Sequence, residues 1–244
     1  MSKIRSFLFS LWFLAVTVFL ALCGLPAGLL PQPRLITFGR LWGGAVIAGM
    51  WICGMRVKID GLENLPQSGP MLIASQHQSA FDTMLWFRLV PDCRYVMKAE
   101  LLRIPVFGWL ARRSQQIPVE RGAGAATMRG LFRDAKAAWA NGAQVLIFPE
   151  GTRAIPGAKV EVKVGFAALA VVSKLPVIPV TTDSGVCWGK GMFGKRPGII
   201  HVRIHPPLPT GLSRETLMQE IQRIYEESAE AFRAAENPVD NSVH

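Results

Sequence analysis

The apolar positions of this chain fall into two regimes. From Ser6 to Pro33 no residue is charged, and Phe7 to Leu25 is almost wholly apolar before Pro26 interrupts it. About 20 apolar helical residues suffice to cross a bilayer, so this run predicts a membrane helix. A secretory signal peptide would share its basic start, Lys3 and Arg5, but no clean small-x-small cleavage site follows, and we read the segment as uncleaved. A second uncharged run, Leu41–Met55, is shorter and carries Gly43, Gly44, Gly49 and Gly54, which suits a re-entrant or half-buried helix as well as a span. Together they predict an N-terminal membrane helical hairpin over residues 1–55. Lys3, Arg5, Arg56 and Lys58 flank it, so the positive-inside rule puts that side at the cytoplasmic face, of the inner membrane if the chain is bacterial.

After Arg56 the pattern becomes that of a soluble α/β domain, residues 56–212. Arg56–Asp60 alternates polar and apolar, Met71–Ser75 is a short apolar run behind Gly69-Pro70, and Arg94–Met97, Gln116–Val119, Gln144–Phe148, Val177–Val180 and Ile199–His205 read as further strands. Between them, residues 125–140 put Met128, Leu131, Phe132, Ala135 and Trp139 on one helical face, stopped by Asn141-Gly142, and Gly165–Lys174 is helical. Strands alternating with helices predict a mixed, largely parallel sheet covered by helices on both faces. Residues 213–244 form an amphipathic helix capped by Ser213, with Leu217, Ile221, Ile224 and Tyr225 on its packing face, and then a tail.

Charge and cysteines narrow the classes. The net charge is +10, yet residues 213–244 carry three basic against seven acidic residues, so the basic surface belongs to the preceding domain. Such a surface suits anionic headgroups or an acidic protein. No zinc-finger spacing, Arg-rich tract or aromatic RNA-binding signature is present, which argues against nucleic acid as a partner. Cys23, Cys53, Cys93 and Cys187 are widely spaced, suggest neither a zinc site nor a disulfide framework, and fit a reducing compartment.

The chemistry centres on Gln76-His77-Gln78-Ser79-Ala80-Phe81-Asp82, which reads as the turn between a buried strand and a helix. Positions five apart on an ideal helix differ by about 140°. With His77 in the turn and Asp82 in the first helical turn, however, the carboxylate can reach one imidazole nitrogen and leave the other for a substrate, as a general base with its orienter. A structural reading competes: Ser79-x-x-Asp82 also fits a capping box. Neither Ser75 nor Ser79 sits in a G-x-S-x-G elbow, so an acyl-enzyme on serine is not indicated. Further loops follow predicted strands. In Phe148-Pro149-Glu150-Gly151-Thr152-Arg153, Gly151 lets the backbone approach an anion and Arg153 can grip phosphate. Ile117-Pro118-Val119-Glu120-Arg121 delivers another arginine, and Pro179 in Val177-Ile178-Pro179-Val180 forbids one ladder bond, which can leave a neighbouring backbone group for substrate. Phe107, Trp109, Arg112 and Arg113, and likewise Trp188, Lys190, Phe193, Lys195 and Arg196, combine aromatic and basic residues as at a headgroup boundary. His201 and His205 lie without a third ligand nearby in sequence, and no metal is assigned to them.

Taken in order and spacing, these stretches resemble the lysophospholipid acyltransferase family, and within it the 1-acylglycerol-3-phosphate acyltransferases. The resemblance also takes in Val96–Leu101, Ile104–Trp109 and Val162–Gly165, and covers about residues 60–182. It implies transfer of a fatty acyl group from a thioester, on coenzyme A or acyl-carrier protein, to the sn-2 hydroxyl of lysophosphatidic acid, giving phosphatidic acid, with membrane lipids as neighbours and no cofactor. It further implies that His77 is the general base, Asp82 its orienter, and Arg121, Gly151, Thr152 and Arg153 the acceptor-binding residues. Glu150 would shape the loop and Lys98 would add positive field. Ala154 stands where the family usually has Ser, and Glu120 where Asp is common. The same chemistry on glycerol-3-phosphate, a lyso-ornithine lipid or another lysophospholipid, and a non-catalytic lipid-binding module, are the alternatives.

Overall fold

The computed structural model describes residues 2–27, 29, 32–120, 124–158 and 161–236. Helices α1 (Ser2–Ala27) and α2 (Gln32–Gly49) precede strand β1 (Met55–Asp60). Then come β2 (Met71–Ser75), α3 (Phe81–Leu89), β3 (Cys93–Lys98), α4 (Phe107–Arg113), β4 (Ile117–Val119), α5 (Ala125–Ala140) and β5 (Gln144–Ile147). The chain closes with α6 (Val164–Ser173), β6 (Val177–Thr182), α7 (Ser184–Cys187), β7 (Gly198–Ile204) and α8 (Arg214–Glu236).

All the strands join one 7-stranded sheet in the order β1-β7-β6-β2-β5-β3-β4. Strands β6, β2, β5, β3 and β4 run parallel, β7 is antiparallel to β6, and β1 is parallel to β7. This is the mixed, largely parallel sheet expected. One consequence governs everything downstream: the parallel strands all end at one sheet edge, where Ser75, Ile147, Lys98, Val119 and Thr182 hand over to loops. Ligands of open α/β sheets bind at that edge.

The period of 2 in each strand sorts side chains to the two faces. Met71, Ile73, Leu146 and Val180 enter a core with α1, α2 and α3. Leu72, Ala74, Val145 and Val177 enter a second core beneath α5, α6 and α8. Because both faces are covered, the central strands read as continuous apolar runs. Ser213 caps α8 as expected, its Oγ accepting the Thr216 N–H at 3.1 Å.

The N-terminal helices pack into the first of these cores: Phe9, Val46, Met50 and Cys53 are buried together with Met84 and Trp86 of α3. The glycines of the second apolar run serve close approach. A Cβ on Gly43 would lie 2.7 Å from the Met84 carbonyl oxygen, and one on Gly49 would lie 2.1 Å from Trp12 Nε1. The Trp188–Arg196 loop is in part a clamp, with Lys190, Phe193 and Arg196 left exposed. Trp188 is buried edge-on between Phe9 and Phe13 (4.9 and 6.0 Å between centroids), Lys195 is buried as well, and the hydroxyls of Ser6 and Ser10 donate to the Met192 carbonyl at 2.7 and 2.9 Å. Only its tip, Met192 and Phe193, is exposed among its large apolar residues. The outer face of α1, from Ile4 through Leu8, Leu11, Leu14 and Phe19 to Leu22, is exposed and apolar. Lys3–Pro26 and Leu35–Cys53 are each long and apolar enough to cross a membrane.

Candidate active site

The site is built on the turn that leaves β2. Gln76 still belongs to the sheet, donating its N–H to the Val180 carbonyl at 2.8 Å, and its side-chain Oε1 accepts the Thr182 N–H at 3.2 Å. Gln78 Oε1 accepts the Gly185 N–H at 3.2 Å, and Ser79 Oγ donates to Ser184 Oγ at 2.8 Å. On its other side the turn is tied to the loop after β5: the His77 N–H donates to Glu150 Oε1 at 3.1 Å and the His77 carbonyl accepts the Ala154 N–H at 2.7 Å. Side chains at 76, 78 and 79 thus bind the end of β6, while the backbone of His77 binds the end of β5. A histidine fixed through its backbone is left with a free side chain.

That side chain is then oriented by two contacts. Its ring stacks on Phe148 with centroids 4.1 Å apart and planes 17° from parallel, and Nδ1 lies 3.2 Å from Asp82 Oδ2. The same oxygen accepts the N–H groups of Gln78 and Ser79 at 2.6 and 2.7 Å. Asp82 therefore does both things the sequence allowed: it closes the first turn of α3 in the manner of a capping box and faces the imidazole. An ionised carboxylate with these donors on Oδ2 accepts the Nδ1 proton, so the lone pair resides on Nε2. The His77 side chain is 13% exposed and that of Asp82 2%. Of the two, only the imidazole reaches the outside. The hydroxyls of Ser75 and Ser79 are buried and engaged, Ser75 Oγ by Trp86 Nε1 at 3.2 Å and Ser79 Oγ by Ser184 and by the Phe81 N–H.

The loop after β5 supplies the rest. Gly151 has φ +66° and its N–H closes a turn on the Phe148 carbonyl at 3.0 Å, so glycine is needed for the backbone conformation; an added Cβ would meet nothing closer than Lys163 Cγ at 3.8 Å. Thr152 and Arg153 follow, both exposed. Glu150 points inward and is 1% exposed; burial, above all, and nearby Asp82 push its carboxyl up to about 8. Lys98 ends β3, half-buried, at the same edge, paired in register with Val119. Among the described residues neither Lys98 nor Arg153 forms an ion pair. Arg121 lies outside the described residues, beyond Val119 and Glu120 at the end of β4. Beside Pro179 two carbonyls are engaged: its own accepts the His205 N–H at 2.9 Å and the next accepts the Gln76 N–H at 2.8 Å. His201 pairs with Asp183 at 2.7 Å and His205 lies 3.0 Å from the Thr181 hydroxyl.

Sequence reasoning missed Gln76, Gln78, Phe148 and Ser184 as positioning groups. The signal was faint. Glutamines flanking a histidine read as turn residues, and Ser184 lies more than a hundred positions away, brought near only by the β2–β6 pairing.

The chain is similar to several known proteins. The family profile described as Acyltransferase matches residues 56–183. A Pseudomonas aeruginosa protein named 1-acyl-sn-glycerol-3-phosphate acyltransferase is 36% identical over 157 residues, 64% of this chain and 61% of its own length. A protein of the same name from Limnanthes douglasii is 33% identical over 187 residues, 75% of this chain and 66% of its own. The matched segments thus span just under two thirds of these relatives. The crystal structure of the 1-acyl-sn-glycerophosphate (LPA) acyltransferase from Thermotoga maritima superposes with a TM-score of 0.77 at 26% identity, covering 96% of this chain and all of that one. With the profile spanning more than half of its length, the chain belongs to the Acyltransferase family.

Proposed function

We propose that this protein transfers a fatty acyl group from an acyl thioester, carried by coenzyme A or acyl-carrier protein, to the sn-2 hydroxyl of lysophosphatidic acid. The observation that carries the reading is the His77–Asp82 pair, with Nδ1 tied to a buried carboxylate and the ring edge open at the sheet edge where ligands bind. The names of the relatives support the choice of acceptor.

In this reading His77 Nε2 takes the proton of the acceptor hydroxyl as its oxygen attacks the thioester carbonyl. The new C–O bond forms, the tetrahedral centre collapses, and the C–S bond breaks. The departing thiolate takes the proton back from the imidazolium, which Asp82 has stabilised meanwhile. Arg153 and Arg121 hold the acceptor's phosphate and Lys98 adds positive field, while Gly151 and Thr152 shape the loop beside it. The exposed apolar face of α1 keeps the site at the cytoplasmic surface of a membrane, where an amphiphilic acceptor resides.

The test is transfer from labelled acyl thioester to lysophosphatidic acid in vesicles, with wild type and His77→Ala. We expect the substitution to lower turnover by about a hundredfold or more, with the circular dichroism and vesicle binding of the wild type. Undiminished turnover in His77→Ala would remove the base from the mechanism. Transfer preferring glycerol-3-phosphate or a lyso-ornithine lipid would reassign the acceptor.

A further inference from the structure

We propose that Glu150 is a positioning residue that works as a neutral carboxylic acid, holding the His77 backbone through Oε1 while leaving Asp82 as the anion set against the imidazole. The inference rests on His77 acting as the base. Its ground, however, is the surroundings of Glu150 itself.

A buried carboxylate ordinarily has a cation or several donors. Among the described residues Glu150 has no cation: its carboxyl is favoured as an anion only by backbone N–H groups, its own and that of His77, which reaches Oε1 at 3.1 Å, and Oε2 is buried with no hydrogen-bond partner there. Among the described residues the titratable groups around it add no positive charge: the Asp82 carboxyl, on α3, pushes that of Glu150 up and has a buried Oδ1 lacking a partner there. Tyr225, on α8, is fully buried with its hydroxyl 3.4 Å from the Ala74 carbonyl, and its own proton is held more tightly by burial and by Glu150. Lys163, whose backbone N–H binds the Pro149 carbonyl at 2.9 Å, sends its ammonium away to Glu161 at 2.7 Å. Burial and Asp82 together hold the Glu150 carboxyl up to about 8.

Neutrality matters for the reaction because of where Glu150 sits. Its carboxyl is bonded to the residue that carries the imidazole. A second anion at that point would strengthen the hold of His77 on its proton and oppose its use as a base near neutral pH. A neutral acid keeps the structural bond without that penalty. The carbonyl oxygen of a glutamine can accept the same N–H.

The experiment compares wild type, Glu150→Gln and Glu150→Ala. First, unfolding free energies are measured from pH 5 to pH 8, which does not depend on any activity. A group whose folded pKa lies above its unfolded value favours folding below the unfolded value and loses that contribution as pH rises through the folded one. The stability of Glu150→Gln relative to wild type should therefore climb steadily across this window. A flat or falling difference would mean that Glu150 is ionised and would overturn the proposal. Second, the acid limb of kcat/KM against pH, which reports the free enzyme's base, should coincide in wild type and Glu150→Gln, with kcat of the latter reduced by less than about threefold. Glu150→Ala, which strips the N–H of its acceptor, should lose about tenfold or more, a loss of about 1.4 kcal/mol. An acid limb moved to lower pH in Glu150→Gln would show that a negative charge had been removed and would sink the neutral assignment. If wild type transferred no acyl group to any acceptor, the functional reading would fail while the stability series still decided the state of Glu150.

Discussion

At the scale of single residues, the site works by placing several donors on one oxygen. Asp82 Oδ2 receives the N–H groups of Gln78 and Ser79 and faces His77 Nδ1, so the residue beside the imidazole also ties down the turn ahead of α3. The two roles come apart under substitution. Asp82→Asn can still offer one oxygen to the turn, and we expect it to fold with near-native stability but with turnover lowered by about two orders of magnitude or more, because an amide holds the imidazolium poorly. Asp82→Ala leaves the turn's donors unpaired and should in addition lose about 1–3 kcal/mol of stability, read by urea unfolding. For Arg153, exposed at the loop, Arg153→Lys keeps the charge and loses the planar two-bond grip. Transfer to lysophosphatidic acid should fall about tenfold, a cost of about 1.5–3 kcal/mol, while transfer to monoacylglycerol stays nearly level. Equal losses on the two acceptors would leave Arg153 without its phosphate.

At the scale of elements, the His77 turn is held between two loops because β2 lies between β5 and β6 in the sheet. Gln76 and Gln78 reach toward β6 while the backbone of His77 reaches toward β5, so no one neighbour can move without disturbing the His77 turn. The Trp188 loop does the same for α1. Trp188 wedges between Phe9 and Phe13, and the Ser6 and Ser10 hydroxyls close on Met192. Trp188→Ala should cost about 3–5 kcal/mol, the usual range for emptying a buried aromatic site, measured by chemical denaturation in detergent. A change within about 0.5 kcal/mol, typical of surface positions, would show that the clamp carries no load.

At the scale of the whole molecule, the change of composition at Arg56 suggests a membrane hairpin beside a free-standing core, and the packing joins them. Phe9, Val46, Met50 and Cys53 fill the same cluster as Ile73, Trp86 and Leu146, while the opposite face of α1 stays apolar and exposed. Removal of residues 1–55 would uncover that cluster over α3 and the sheet. We expect the truncated chain to lose cooperative unfolding, observed as a broad, shallow denaturant transition. A sharp transition at the wild-type midpoint would mean that the hairpin is a detachable anchor.

Much of this was legible in the order of residues. Continuous apolar runs bounded by Gly and Pro marked the strands, because a strand covered on both faces has no polar side to show. The His77-x4-Asp82 spacing marked an imidazole and a carboxylate that can meet, because a turn followed by a helix start brings positions five apart together. What lay beyond reach depends on neighbours distant in the chain. Helix α4 and the short α7 were not read: Phe107–Arg113 and Ser184–Cys187 are too short for a helical period to show. The glycines of α2 suggested a bent or re-entrant segment, yet two of them exist to let α2 approach Met84 and Trp12. Glu150 was assigned to loop shape from its motif, and nothing local told that its carboxyl would be sealed beside Asp82 without a cation. Periodicity and spacing settle where a chain turns and which side chains are born on one face. Burial, partners and protonation are set by which strands lie side by side, and the pairing of β2 with both β5 and β6 decided them here.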